Sequence, residues 1–446
     1  MCHRHAAGAT TSLSPVKLAL VLVLNGLLLA WLLPWLRRQW RENPAPVWRG
    51  VLVLGLGARL LVGGAKSWNL VKDGVYISEL GRLLTAQLWA DPAGAWQSFT
   101  GNELRFAGSA AVYYGMSNTF FLSKVLAVFN LATGGIDWLN GTYLSLAAFV
   151  AGWAAARALA RAFPKLLAGV GLVAFLAWPS VLWFGSGVTK EAALLATGAG
   201  VFALFIELIY NENGLPRSSW QRGAQAAALL ALAVLHFKLR YFFAAPLLVL
   251  LAGVAVLHGL QGRRLLQSRA AQIVLLLSWL LAGAWLASEV SVAFRANKFT
   301  NQLALIYARH LRASAGRPHF EHPDLLPTPA SIVRHAPLAA FNALSRPWLG
   351  ETEGRPLYVA GALETSALLL LFGATVVGWF RRHRGAVLPF ALRLALGLHC
   401  LLMAVLLGLS TPNLGSLARY RAVMLPWLLL LLLPAVTRVF NPKSGA

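Results

Sequence analysis

Apolar runs of about 18 to 25 residues recur along this chain, the length of α-helix needed to cross roughly 30 Å of hydrocarbon. The clearest runs occupy residues 16–36, 165–184, 192–210, 241–260, 271–289, 357–380, 386–409 and 422–440. Less clear-cut ones occupy 51–65, 119–133, 138–158 and 224–236, which gives about ten to twelve spans. Leu, Ala and Val fall on every face of these runs, whereas the strands of a porin-type barrel alternate. Core helices of a soluble protein fit no better. At 58% hydrophobic and 12% charged residues, the chain carries about half the charge of a soluble domain. The expected fold class is all-α: a polytopic transmembrane helix bundle, one membrane domain over the whole chain, with interfacial helices in two long outer loops.

A formal charge of +24 would point to nucleic acid in a soluble protein. Here Lys and Arg collect in short connections at 37–49, 157–165, 217–222, 263–269 and 381–384, with Arg438 and Lys443 near the end. That pattern reads as a cytoplasmic orientation signal and as contact with anionic headgroups, so the partners expected are membrane lipids and not nucleic acid. The hydrophilic stretches 66–117 and 290–355 then lie outside. This assignment meets a parity conflict. An odd number of crossings must separate residue 117 from residue 157, yet two apolar runs lie between them. Either 119–133 is re-entrant or interfacial, or the charge rule fails at one loop. From 157 onward the alternation places 185–191, 236–240 and 410–417 outside.

The first run lacks a small-residue cleavage site and is followed by Arg37, Arg38 and Arg41, which reads as a retained anchor. Cys2 and Cys400 supply neither a disulfide framework nor a zinc cluster. The loop histidines, His310, His319, His322 and His335, show no metal-ligand spacing, and no Walker loop or dinucleotide fingerprint occurs, so a nucleotide-driven machine is not expected.

Ionisable residues at membrane depth or at its rim are costly, which makes them candidates for function. Asp73, with Tyr76 and Glu79 after it, opens an amphipathic stretch; a carboxylate there is placed to take a proton from an acceptor hydroxyl, or simply to cap the next helix. Residues 178–191 form a Pro/Gly-rich turn in which Thr189 suits an N-cap, Glu191 complements the helix dipole, and Lys190 faces the outer headgroup layer. His236, Lys238 and Arg240 put cations on an outer turn against the usual bias, as if to meet a phosphate or pyrophosphate. Arg346, Trp348 and Glu351, with Glu353 and Arg355, read either as a sugar-binding edge or as an interfacial belt. Glu364 lies inside an apolar run and needs a partner. Arg419 and Arg421 follow a Gly/Ser/Asn turn and are again outer cations suited to phosphate.

Three of these features match in kind and order a known family. Asp73-x-x-Tyr76, the Pro179 to Glu191 turn with its paired glycines and terminal Lys-Glu, and Asn413-x-Gly-Ser-x-x-Arg-Tyr-Arg resemble the bacterial membrane glycosyltransferases of the GT-C fold. That class includes dolichyl-phosphate-mannose-type mannosyltransferases and lipid A aminoarabinose transferases. The resemblance spans most of the chain. It implies a multi-pass protein of the bacterial inner (plasma) membrane that moves a sugar from a polyprenyl-phosphate carrier to a cell-envelope acceptor on the outer face. Asp73 would be the catalytic base, with Glu79, six residues on, a second catalytic candidate read from the residues alone. Lys190, Lys238, Arg240, Arg419 and Arg421 would hold the donor phosphate, and Tyr76, Arg346, Trp348 and Glu351 would form the acceptor edge. Some relatives use a divalent metal; this sequence requires none. Two other functions use similar chemistry. An O-antigen polymerase or ligase would lean on His310, Arg312 and Arg317, and a lipid-linked sugar transporter or flippase on mid-span charges such as Glu364.

Overall fold

The computed structural model describes residues 14–113, 117–210, 218–380 and 388–440. Arg217, Arg381, Arg382, Arg384 and Lys443, part of the expected orientation signal, lie outside the described residues. Helices dominate: α1 (Pro15–Glu42), α2 (Pro46–Trp68), α3 (Lys72–Ala90), α4 (Pro92–Thr100), α5 (Asn118–Thr133) and α6 (Asp137–Ala162) make up the first part. A broken segment, α7, then runs through Ala168–Leu172, a π-turn at Val173–Ala177, and Pro179–Phe184. Next come α8 (Lys190–Ile209), α9 (Ser219–Leu239), α10 (Tyr241–Gly262) and α11 (Arg269–Val290). The remainder is α12 (Ala296–Ala313), α13 (Pro329–Ser345), α14 (Pro356–Phe380), α15 (Phe390–Ser410) and α16 (Leu414–Phe440). One element departs from the all-α expectation: an antiparallel hairpin, β1 (Glu103–Phe106) with β2 (Ser109–Val112), registered Glu103 opposite Val112.

Among the described residues, nine helices are long and apolar enough to cross a membrane: α1, α2, α6, α8, α10, α11, α14, α15 and α16. The most buried is α8, which packs along α6 and α9; α1 has no buried residue in its apolar window. Around the outside, Leu54, Leu61, Leu281 and Leu370 are each at least 70% exposed. An apolar flank of this kind is stable against hydrocarbon and a liability in water. The bundle is the architecture of a multi-pass membrane protein.

Contacts between distant segments define its two ends. At one, Arg157 pairs with Glu42 at 2.6 Å and Arg161 with Glu207 at 3.2 Å. At the other, Lys66 Nζ donates to the Ser186 carbonyl at 3.0 Å, and the Leu414 N–H donates to the Pro318 carbonyl at 3.1 Å. We call these the arginine-paired end and the loop end. Both α7 and α9 also run from one end to the other.

The parity conflict is resolved by α5. It begins beside Lys190, which donates to Thr119 Oγ1 at 2.8 Å, and finishes with the Ala132 carbonyl accepting from Asn25 Nδ2 at 2.7 Å. Asn25 is only ten residues into α1, so α5 starts and ends in the loop half of the bundle. Sixteen residues reach only about 24 Å as a helix, too short to cross. Its polar residues agree: Asn130 and Thr133 are buried in a network with Asn140 of α6, Thr133 Oγ1 donating to Asn140 Oδ1 at 2.8 Å and Asn140 Nδ2 to Asn130 Oδ1 at 2.7 Å. Only α6 therefore crosses between residues 117 and 157.

Two tight contacts lock the helices that frame the site. Gly141 of α6 meets α2 so closely that a β-carbon there would lie 2.7 Å from the Gly63 carbonyl oxygen, the close approach that small residues allow between membrane helices. Arg59, 1% exposed inside α2, gives its guanidinium to the carbonyls of Phe175 at 2.9 Å and Gly185 at 3.2 Å. The π-turn before Pro179 interrupts the helical ladder of α7, and Arg59 satisfies the Phe175 carbonyl released by that break and the Gly185 carbonyl where α7 ends.

Candidate functional site

The site grows from the turn between α7 and α8. Gly187 takes the left-handed conformation at φ 89°, which reverses the chain at little steric cost. Its N–H donates to Ser145 Oγ at 2.9 Å and that of Val188 to Ser67 Oγ at 3.0 Å, tying the turn to α6 and α2. Thr189 caps α8, its Oγ1 accepting from the Ala192 N–H at 3.1 Å. Lys190 and Glu191 are thereby fixed at the loop end and point different ways.

Lys190 reaches toward α3, where its Nζ lies 3.7 Å from Asp73 Oδ2. Glu191 turns inward and is 2% exposed; its Oε1 sits 3.6 Å from Arg240 Nη1 and 3.4 Å from Arg419 Nε. The Tyr420 ring contacts both arginines: the Arg240 guanidinium is 4.2 Å and that of Arg419 4.9 Å from the ring centroid, and Arg419 Nη2 donates to the Tyr420 hydroxyl at 3.1 Å. Glu191 balances charge without completing hydrogen bonds, because its Oε1, Arg240 Nε and Nη1, and Arg419 Nε are all buried without a hydrogen-bond partner. Lys66 adds a fourth cation, held by the carbonyls of Trp183 at 2.6 Å and Ser186 at 3.0 Å. Two carboxylates thus face Lys66, Lys190, Arg240 and Arg419, an excess of positive charge with donor capacity to spare.

The acids divide by environment. Asp73, in the first turn of α3, has a side chain 58% exposed, against 2% for Glu191. Only Asp73 is open to an incoming hydroxyl. One turn further, the Tyr76 and Tyr113 hydroxyls lie 2.5 Å apart and link α3 to the end of the hairpin. Burial, together with the Tyr76 bond, raises Tyr113 above the ordinary phenol range, so it stays protonated.

Other expected site residues lie elsewhere. Glu79 is exposed and does not join the cluster. Lys238 is exposed on the side of Lys124, which burial and the Lys238 charge push down to about 8. The expectation of phosphate binding at Arg421 is corrected: 1% exposed, it donates from Nη1 to the Arg346 carbonyl at 2.7 Å and from Nη2 to Thr365 Oγ1 at 2.8 Å. Its charge is spent holding the end of α13 against α14. Arg346, Trp348 and Glu351 form a separate group on that side, with an Arg346–Glu351 ion pair and the Arg346 guanidinium 4.7 Å from the Trp348 ring. Glu353 pairs with Arg355 at 3.0 Å, while Arg312 and Arg317 are exposed. Glu364 finds its partners at the α7 break, accepting from Trp178 Nε1 at 2.7 Å, Ser180 Oγ at 2.6 Å and the Ser180 N–H at 3.0 Å. A carboxylate so satisfied needs no cargo ion to explain it.

His310 belongs to the cluster's surroundings. Its Nδ1 lies 3.0 Å from the Ser410 carbonyl, which only accepts, so Nδ1 carries the proton and Nε2 keeps a lone pair. Burial lowers its pKa, the Ser410 bond opposes this, and the charges of Arg240, Arg419 and Arg309 lower it further. With a folded-state pKa below the ordinary 6.5, the folded protein binds fewer protons there than the unfolded chain. Stability from this site is intact above that value and falls as pH drops below it. His310→Asn, whose amide still reaches Ser410, should flatten this acid limb in thermal unfolding measured from pH 8 to about pH 5; an unchanged slope would contradict the linkage.

The sequence reading missed two organising residues, Arg59 and the inward role of Glu191. Both carried a signal, since Arg59 is a charge inside an apolar run and Glu191 a charge at the edge of one. Among the described residues no group of His, Cys, Asp or Glu is arranged to hold a metal ion. No protein-family description, curated protein or solved structure matches the chain.

Proposed function

We propose that the chain is a membrane glycosyltransferase that moves a sugar from a polyprenyl-phosphate-linked donor to a cell-envelope acceptor at the loop end of the bundle. The observation that carries this reading is the convergence of Asp73, Lys190, Arg240 and Arg419, from four separate segments, on one rim. Displacement at an anomeric carbon needs one base, cations for the departing phosphate, and a fixed geometry between them. Asp73 takes the proton of the acceptor hydroxyl as that oxygen attacks the anomeric carbon. The bond to the carrier phosphate breaks, and Lys190, Arg240 and Arg419 receive the phosphate charge. Glu191 keeps the two arginines apart and oriented until the donor arrives. By the charge rule the loop end is the outer face; a polyprenyl-phosphate donor and a cell-envelope acceptor would place the protein in a bacterial inner membrane.

A second reading has its own support. His310, with a free Nε2 lone pair within electrostatic reach of Arg240 and Arg419, suits a polymerase or ligase that uses the same kind of donor. The experiment common to both is transfer by purified protein in proteoliposomes from a labelled polyprenyl-phosphate sugar, scored as a new glycosidic bond. Movement of the labelled lipid across the bilayer without bond formation would replace both readings with a transporter.

A further inference from the structure

A second polar site lies in the first loop, away from the cation cluster. The end of α3, helix α4 and the hairpin enclose a cleft of about 410 Å³. They have a small core of their own, in which Leu84 and Leu104 are fully buried and Phe99 and Phe106 pack around them. The cleft is therefore part of a folded unit and not an accident of loop placement.

Its lining is rich in polar side chains. Gln87, Gln97 and Asn102 contribute amides, Asp91 and Glu103 carboxylates, and Arg105 a guanidinium. Glu103 and Arg105 neutralise each other at 3.0 Å, which leaves Asp91 as the net charge. Asp91 uses Oδ1 to accept from the Gly94 N–H at 3.0 Å. The decisive residue is Gln87: it is 2% exposed, it borders the cleft, and its side-chain Oε1 is buried without a hydrogen-bond partner. An unsatisfied buried amide is costly, and a ligand hydroxyl that parts the cleft wall to reach it would relieve that cost. Amides that both donate and accept, beside a single net negative charge, match a hydroxyl-rich neutral molecule and disfavour an anion.

Gln87 lies fourteen residues beyond Asp73 on the same helix, about 21 Å along its axis. A single sugar at Asp73 does not reach the cleft, whereas an extended chain does. We infer that the cleft binds a neutral oligosaccharide as the distal part of the acceptor, a reading that rests on the glycosyl transfer proposed above.

The test is direct binding to the full-length protein in detergent, without donor. The probes are neutral malto-, cello- and chito-oligosaccharides from mono- to hexasaccharide, followed by calorimetry. Affinity should rise with chain length and fall about tenfold in Gln97→Ala plus Asn102→Ala, the worth of one or two hydrogen bonds. Both residues are exposed, and thermal unfolding reports their fold. Gln87→Leu should weaken binding while holding or raising thermal stability, since it removes the unpaired amide; loss of stability with unchanged binding would make Gln87 structural and overturn its role. Binding by none of the oligosaccharides, or equal binding by the double variant, overturns the inference even where transfer activity is present. Length-dependent binding with no transfer from any donor supports the cleft and refutes the transferase reading.

Discussion

Asp73→Asn should reduce sugar transfer by about 10²- to 10⁴-fold, the usual worth of a positioned general base, and leave donor binding and thermal stability close to wild type. The separation follows from geometry. Asp73 is the exposed acid of the rim, and its 3.7 Å contact with Lys190 is a partly exposed ion pair of the kind that contributes little to stability. Asparagine keeps the shape and a hydrogen-bonding oxygen at the start of α3 but cannot accept a proton at neutral pH. The measurement is initial rate of glycosidic bond formation in proteoliposomes, beside donor binding and thermal unfolding of the same preparation. Transfer that persists in Asp73→Asn removes Asp73 as the base. If His310→Ala silences the enzyme in its place, the polymerase or ligase reading takes over.

The asymmetry between Asp73 and Glu191 also shows what a one-dimensional reading can reach. Hydropathy finds a helix such as α8 because every residue of the run contributes to the signal. It cannot tell that α5, just as apolar along part of its length, hides Asn130 and Thr133 against Asn140 and stays in one half of the bundle; those polar partners belong to neighbouring elements. The cations were legible as a class, since outer turns rich in Lys and Arg oppose the charge rule. Their individual fates were not. Arg419 and Arg421 are two residues apart and so point to opposite sides of α16. One meets Glu191, while the other is consumed by the Arg346 carbonyl and Thr365. Glu191 satisfied a local rule, an acid in the first turn of a helix, which concealed its inward role until Arg240 and Arg419 were placed around it. The polar cleft at Gln87 left no sequence motif, because amides are ordinary loop residues until two helices and a hairpin fold them around one space.

Glu191 supplies the second large effect, and it separates structure from function in the cation cluster. Glu191→Ala leaves Arg240 and Arg419 beside Tyr420 without their shared buried counter-charge. Removing one partner of a buried pair costs about 3–5 kcal/mol, so this variant should unfold at markedly lower temperature than wild type. Glu191→Gln keeps the volume and loses only the charge, and should fall between them. If the guanidiniums are a phosphate site, the lost carboxylate is replaceable by an anion. Inorganic pyrophosphate should then stabilise Glu191→Ala well beyond any effect on wild type, and the gain should grow with the logarithm of its concentration once the site is saturated. Sulfate at matched ionic strength controls for general salt effects. Arg419→Ala added to Glu191→Ala should weaken the response, because one of the two cations that define the site is gone. A destabilised Glu191→Ala that pyrophosphate does not rescue would mean that the arginines serve the fold alone, and the donor phosphate would have to be sought at Lys190 and Lys66. Rescue would show that Glu191 occupies, in the free protein, the charge position a phosphate takes when the donor binds.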